Sequence, residues 1–261
     1  MSLTRLGLFL STSASAALLC IGTAWGKPVE LSEQELAAVC GQGLVTLANS
    51  SLNGLDFSTI TLNADVTMSA NFKNIVLGQY TATANNGSGA DINIPLLQFG
   101  RSDGATAQKV VQITNPYVEF IYNNAAGAGN SQVVGMRFGF EGIAGDVGLL
   151  MSSISGSLQI DGGAAGILSS NGQRSASACA TPTSCLALSL IGGVTAGNTT
   201  GASRDFWISV LSKPVQFAAQ AGLSQPNIAQ AGVWLNWTDR LTALNTSGVP
   251  PPNVAYALRR H

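Results

Sequence analysis

From Thr59 to Phe72 the chain alternates without a break. Ile60, Leu62, Ala64, Val66, Met68, Ala70 and Phe72 are apolar, while Thr59, Thr61, Asn63, Asp65, Thr67, Ser69 and Asn71 are polar. A helix would scatter the two sets around its circumference, whereas a strand sends them to opposite faces. At about 3.3 Å per residue the stretch would run about 46 Å, well beyond the usual strand. A two-faced strand of that length needs long partners, so the pattern predicts an extended antiparallel sheet with the even-numbered side chains buried.

Further strands are expected over 74–83, 91–98, 109–114, 117–122, 132–141, 147–160 and 205–211, separated by turn chemistry at 85–89, 100–104, 123–130 and 161–163. Between Met136 and Ile160 the apolar positions change parity twice, and each change implies a bulge or bend. The loop 123–130 makes 117–122 and 134–140 a hairpin. Pairing Glu119 with Arg137 gathers Val118, Phe120, Met136 and Phe138 on one face, expected to be the core, and leaves the two charges on the outer face.

Helical signals are few. Residues 31–43 read as a short helix, with Ser32 and Glu35 as a capping box and Gly41 as its stop. Ser212 and Pro214 can start another over 212–222, and a weaker signal covers 238–245. Residues 164–204 are rich in Gly, Ser, Asn and Thr and read as loop. The expectation is an all-β fold, mainly antiparallel. Its long twisted sheet would form a sandwich or a partly closed barrel, with a short N-terminal helix and short C-terminal helices.

Composition sets the compartment. Arg5, the apolar run Leu6–Ile21 and the small residues Ala24 and Gly26 have the order of a secretory signal peptide cut after Gly26. The organisation is then a signal peptide over 1–26, a helical lead-in over 27–43 and a single β-rich domain over 44–261. Charged residues are 10% of the chain, against about 25% in a typical soluble domain. Net charge is −1 and there is no basic run, so nucleic acid is a poor partner. In an exported protein Cys179 and Cys185, bracketing a short loop, are expected to form a disulfide, which leaves Cys40 unpaired within its chain.

Candidate chemistry is thin. The one histidine is the last residue, His261, a poor place for a catalytic base. Gly100-Arg-Ser-Asp-Gly104 has Gly-x-Ser-x-Gly spacing but reads as turn chemistry, and there is no phosphate-binding glycine loop or His/Cys ligand cluster. Asp91 and Glu141 are a carboxylate pair far apart in sequence, and Asn86–Asp91 reads as a hairpin turn rather than a calcium repeat. No enzyme, cofactor or metal site is expected. Trp207, Trp234 and Trp237 are the candidate binding surface, weighed against a role as core anchors.

Leu31, Glu33, Leu36, Val39, Gly41, Gln42 and Gly43 carry most of an L-x-[DE]-x-x-L-x-x-V-x-G-Q-x-G pattern. This start of the mature chain resembles that of a poorly characterised group of Gram-negative exported β-rich proteins, some of them labelled pilus- or adhesion-related. Residues 115–122 and 134–140, with Gly145 and Ser155-Gly-Ser157, are similar to the same group. The resemblance implies a place in the periplasm, in the outer membrane or at the cell surface of a Gram-negative bacterium. The expected role is a non-enzymatic surface or outer-membrane-associated protein that assembles or adheres through weakly charged sheet surfaces. Its partners would be other envelope proteins or further copies of itself. The alternatives are a carrier of an apolar, lipid-like ligand and, third, a membrane-spanning β-barrel.

Overall fold

Asn53 and Gly54 both take left-handed backbone, with φ of 53° and 76°. That is the geometry a two-residue hairpin turn requires. It joins β1 (Val45–Leu52) to β2 (Leu55–Leu62) and opens the computed structural model, which describes residues 43–79, 89–123, 131–170, 172–176 and 187–254. The expected lead-in helix, Cys40 and the Cys179–Cys185 pair lie outside the described residues.

The single strand expected over 59–72 is three pieces: the end of β2, β3 (Asp65–Met68) and the start of β4 (Ala70–Gln79). β2 and β3 both pair with β6 (Val111–Asn123), but Thr61 lies opposite Tyr117 whereas Asp65 lies opposite Thr114. The two registers differ by one residue, and one residue exchanges the faces of a strand. The odd-numbered Leu55, Phe57 and Thr61 are therefore the buried side chains of β2, while the even-numbered Val66 and Met68 of β3 pack on the main core. The alternation is real, but its even set serves two different surfaces.

The other strands are β5 (Ala90–Phe99), β7 (Gln132–Leu150), β8 (Ser153–Asp161), β9 (Ile167–Ser169), β10 (Gln173–Ala176), β11 (Gly193–Ala196), β12 (Trp207–Leu211), β13 (Gly232–Trp237) and β14 (Leu241–Asn245). β7, β11, β14, β8, β13 and β12 pair in turn, and β12 pairs back onto β7, so these six close into a barrel. β13 and β14 run parallel to β8, and the ring's other pairs are antiparallel. The main core gathers Ile92, Val147, Ile154, Leu158, Ile160, Val194, Leu235, Trp237 and Leu241. β6, β2 and β1 extend the sheet beyond the barrel from the outer side of β7.

Among the described residues no helix reaches seven residues. The helix expected over 212–222 is absent. That stretch is extended and pairs through Val215 and Ala229, whose amides and carbonyls exchange bonds of 2.9 Å. The weaker helical signal over 238–245 is a turn followed by β14. Within 164–204, read as loop, β11 is a strand of the ring, and a side chain at Gly193 would run into the Val147 carbonyl. Glycine there permits close strand contact rather than a loop.

Candidate interaction surface

The chain from Ser212 to Ala231, between β12 and β13, crosses one face of the extended sheet as a strap. Val215, Phe217 and Ala229 of the strap are buried there with Leu55, Phe57, Ile121, Val134, Trp207, Leu211 and Trp234 in a second core. The strap braces itself: Gln216 Nε2 donates to the Pro226 carbonyl at 2.8 Å, and Gln225 Nε2 donates to the Phe217 carbonyl at 2.5 Å.

Beneath the strap the registers align Thr59, Glu119, Arg137, Ser209 and Trp234 as one row across five strands. The Glu119–Arg137 pairing expected from their charges is present, with Val118 opposite Phe138 and Phe120 opposite Met136. The faces are the reverse of the expectation. Glu119 is 4% exposed, and the Arg137 side chain is covered while Phe138 is half exposed. The reason is the strap, a segment about eighty residues downstream, which covers the charged side of the hairpin and leaves the apolar side open.

Burying the two charges is offset by dense partnering. Arg137 Nη2 donates to Glu119 Oε1 at 3.2 Å, and Thr59 Oγ1 donates to the same oxygen at 2.8 Å. The guanidinium lies 4.3 Å from the Phe217 ring centre, 5.5 Å from that of Tyr117 and 5.6 Å from that of Trp207. Such contacts contribute from about 0.5–1 kcal/mol at exposed sites to about 2 kcal/mol when desolvated. Burial pushes the Tyr117 phenol above its ordinary value of 10.0; the Arg137 charge pulls it back and the Glu119 charge raises it further.

A polar cleft of about 340 Å³ opens beside Arg137, with Asp205, Trp207, Gln225, Asn227 and Asn236 among its walls. Asp205 is occupied in holding the β13–β14 turn. It accepts from the Thr238 and Asp239 amides at 3.0 and 2.9 Å and from Asn236 Nδ2 at 3.1 Å. The charges of this cleft are engaged in holding the fold. Asp91 is buried and accepts the Val233 amide at 2.8 Å, while Glu141 accepts from Asn115 at the surface. Among the described residues no group of three or more His, Cys, Asp or Glu could hold a metal.

Among the described residues the opposite face of the same sheet is largely open, save at Ile208, which packs on the main core. Its two middle rows run Leu47–Ile60–Val118–Phe138–Ile208 and Asn49–Ser58–Phe120–Met136–Val210, with no charged side chain in either. Leu47 is 73% exposed, Phe138 50% and Val210 49%. With strands about 4.8 Å apart and same-face residues about 7 Å apart, the two rows cover about 340 Å². This is the surface the hairpin pattern identified as a core face.

The three tryptophans do not share a surface. Trp207 and Trp234 lie in the core under the strap, whereas Trp237 points into the main core, where its Nε1 donates to Ser203 Oγ at 2.9 Å. All three are buried, and Trp207 borders the cleft. No protein family, curated protein or solved structure matches the chain.

Proposed function

We propose that this is an exported, non-enzymatic envelope protein that assembles or adheres through the open apolar face of β1, β2, β6, β7 and β12. The observation that carries the reading is the solvent exposure of Leu47, Ile60, Phe138 and Val210 in neighbouring rows of one sheet. Scattered exposed apolar residues are ordinary, whereas a contiguous patch of a few hundred Å² is about the largest a monomer carries and is often functional, which supports this reading. The absence of charge from the two rows favours an apolar partner surface over an anionic one. The leader-like residues 1–26 place that surface outside the cytoplasm in this reading.

Two observations rank it above the alternatives. Side chains such as Leu158, Ile160, Val194 and Leu241 fill the ring where a carrier would hold its ligand. β11 and β14 span four and five residues, short of the roughly 9–11 that a membrane-crossing strand needs.

The test places a charge on the open face. Expressed with its leader in a Gram-negative host, the chain should be recovered outside the cytoplasm with Lys27 first, and the purified protein should self-associate or bind envelope fractions. Phe138→Asp should abolish envelope binding and association through the open face and leave the thermal transition nearly unchanged. Envelope binding and association both equal to those of the unsubstituted protein would sink the reading.

A further inference from the structure

β1 ends the sheet. All eight of its residues pair with β2 without a register shift, and among the described residues no strand meets its outer side. The Asn53–Gly54 turn makes Leu52 and Leu55 a hydrogen-bonded pair, from which bonded and non-bonded pairs alternate along the hairpin. At the far end the Asn63 amide donates to the Leu44 carbonyl at 2.8 Å, which fits that alternation. Val45, Leu47, Asn49 and Ser51 therefore direct their backbone N–H and C=O groups away from β2.

Natural sheets protect such an edge with charge, proline or a bulge. β4, the outlying strand on β5, carries Lys73 in mid-strand and left-handed residues at Asn74 and Gly78, with φ of 56° and 63°. β1, Val-Thr-Leu-Ala-Asn-Ser-Ser-Leu, carries none of these devices. The outer edge of β4 is guarded and that of β1 is not.

We propose that the outer edge of β1 seats the β1 of a second copy of this chain, antiparallel, about a two-fold axis at Ala48. This inference rests on the reading that the open face is the working surface, because the pairing joins two such faces edge to edge. With the axis at Ala48, Val45 meets Ser51 of the second copy and Leu47 meets Asn49. Every outward backbone group then finds a partner, in about eight hydrogen bonds. Sliding the copies by two residues leaves outward groups unpaired at both ends, and sliding by one opposes groups that point inward. No charge of either copy lies in the pairing. Joining the two faces doubles the open surface to about 700 Å², above what a monomer usually exposes. The closed two-fold arrangement uses the same strand on both copies, as an isologous dimer does.

Sedimentation equilibrium of the mature chain should give a dimer. Asn49→Pro deletes a donor that β2 does not use and should give a folded monomer. In a Cys40→Ser background, Ala48→Cys should form a disulfide-linked dimer on mild oxidation. Residues on the axis stand about 4.5 Å apart across a non-bonded pair, within disulfide reach. Thr46→Cys, which would lie opposite Ser50, should not cross-link. A dimeric Asn49→Pro, or cross-linking of Thr46→Cys as readily as of Ala48→Cys, would overturn the pairing. If Phe138→Asp dissociates the protein and Asn49→Pro does not, the edge pairing fails and the open-face reading stands. If Asn49→Pro dissociates it and Phe138→Asp changes neither association nor envelope binding, the pairing stands and the open-face reading fails. A monomer at every concentration overturns the pairing, and the open-face reading then stands or falls on envelope binding.

Discussion

Arg137 Nε lies 2.6 Å from Glu119 Oε2, and the two side chains are only 14% and 5% exposed. The Nε–H is not aligned on that oxygen, so this contact is chiefly one of opposite charges. Truncating one member of a buried pair leaves the other charged, desolvated and unmatched, which costs about 3–5 kcal/mol. Arg137→Ala also removes the cation from three aromatic rings. Phe138, its half-exposed neighbour, should cost about 1 kcal/mol or less on change to alanine. Urea midpoints of the two variants should therefore fall in the order Phe138→Ala above Arg137→Ala. The opposite order would mean that the strap does not cover Arg137 in solution.

That pair also shows what could be read before the structure. Its register was legible because Glu119 and Arg137 are close in sequence, opposite in charge and joined by a short loop. Which face was buried was not legible, because the covering strap lies far downstream and carries its own ambiguity. Val215 and Phe217 alternate with Pro214 and Gln216, a pattern that suits an extended segment as well as a helix start. The 59–72 alternation predicted strand correctly, but not the extra residue between the β2 and β3 registers on β6 that hands its even side chains from the open face to the core. β11 went unseen because its glycine reads as loop in a sequence, though in the fold it gives room for the Val147 carbonyl. The open edge of β1 had one local signal, the Asn53–Gly54 turn.

Ser209 sits in the same row as the ion pair, fully buried, and its Oγ has no protein partner. A buried hydroxyl without a partner forfeits its hydration with little return. Ser209→Ala should be neutral or stabilising by up to about 1 kcal/mol in equilibrium unfolding. A loss of more than that would show that the hydroxyl is satisfied in solution, for instance by a water molecule beside Trp234 Nε1.

Gly156 closes the ring on one side. It pairs with Leu235 across the parallel β8–β13 ladder at φ 148°, where a side chain would run into the Leu235 carbonyl. Both the backbone conformation and the contact exclude a Cβ without displacement of β13. Gly156→Ala should cost about 2–4 kcal/mol. Gly54→Ala, also at positive φ but with open space around it, should cost less. Thermal melts of the two variants compare strain plus clash with strain alone. Equal losses would place the cost in the backbone only.

Tyr117 links the covered face to pH. Burial is the first cause that raises its phenol above 10.0, with the nearby Arg137 charge opposing the shift and the Glu119, Glu141 and Asp205 charges adding to it. The folded state therefore holds the phenolic proton more tightly than the unfolded chain does. Its contribution to stability is complete below pH of about 10 and is lost as pH rises through the raised folded value. The urea midpoint should fall through this alkaline range, and Tyr117→Phe should flatten the fall. A phenolate absorbance titration of the folded protein should lose its highest-pH component in the same variant. If Tyr117→Phe leaves both curves unchanged, the phenol is solvated, and the strap does not seal the row that holds Glu119 and Arg137.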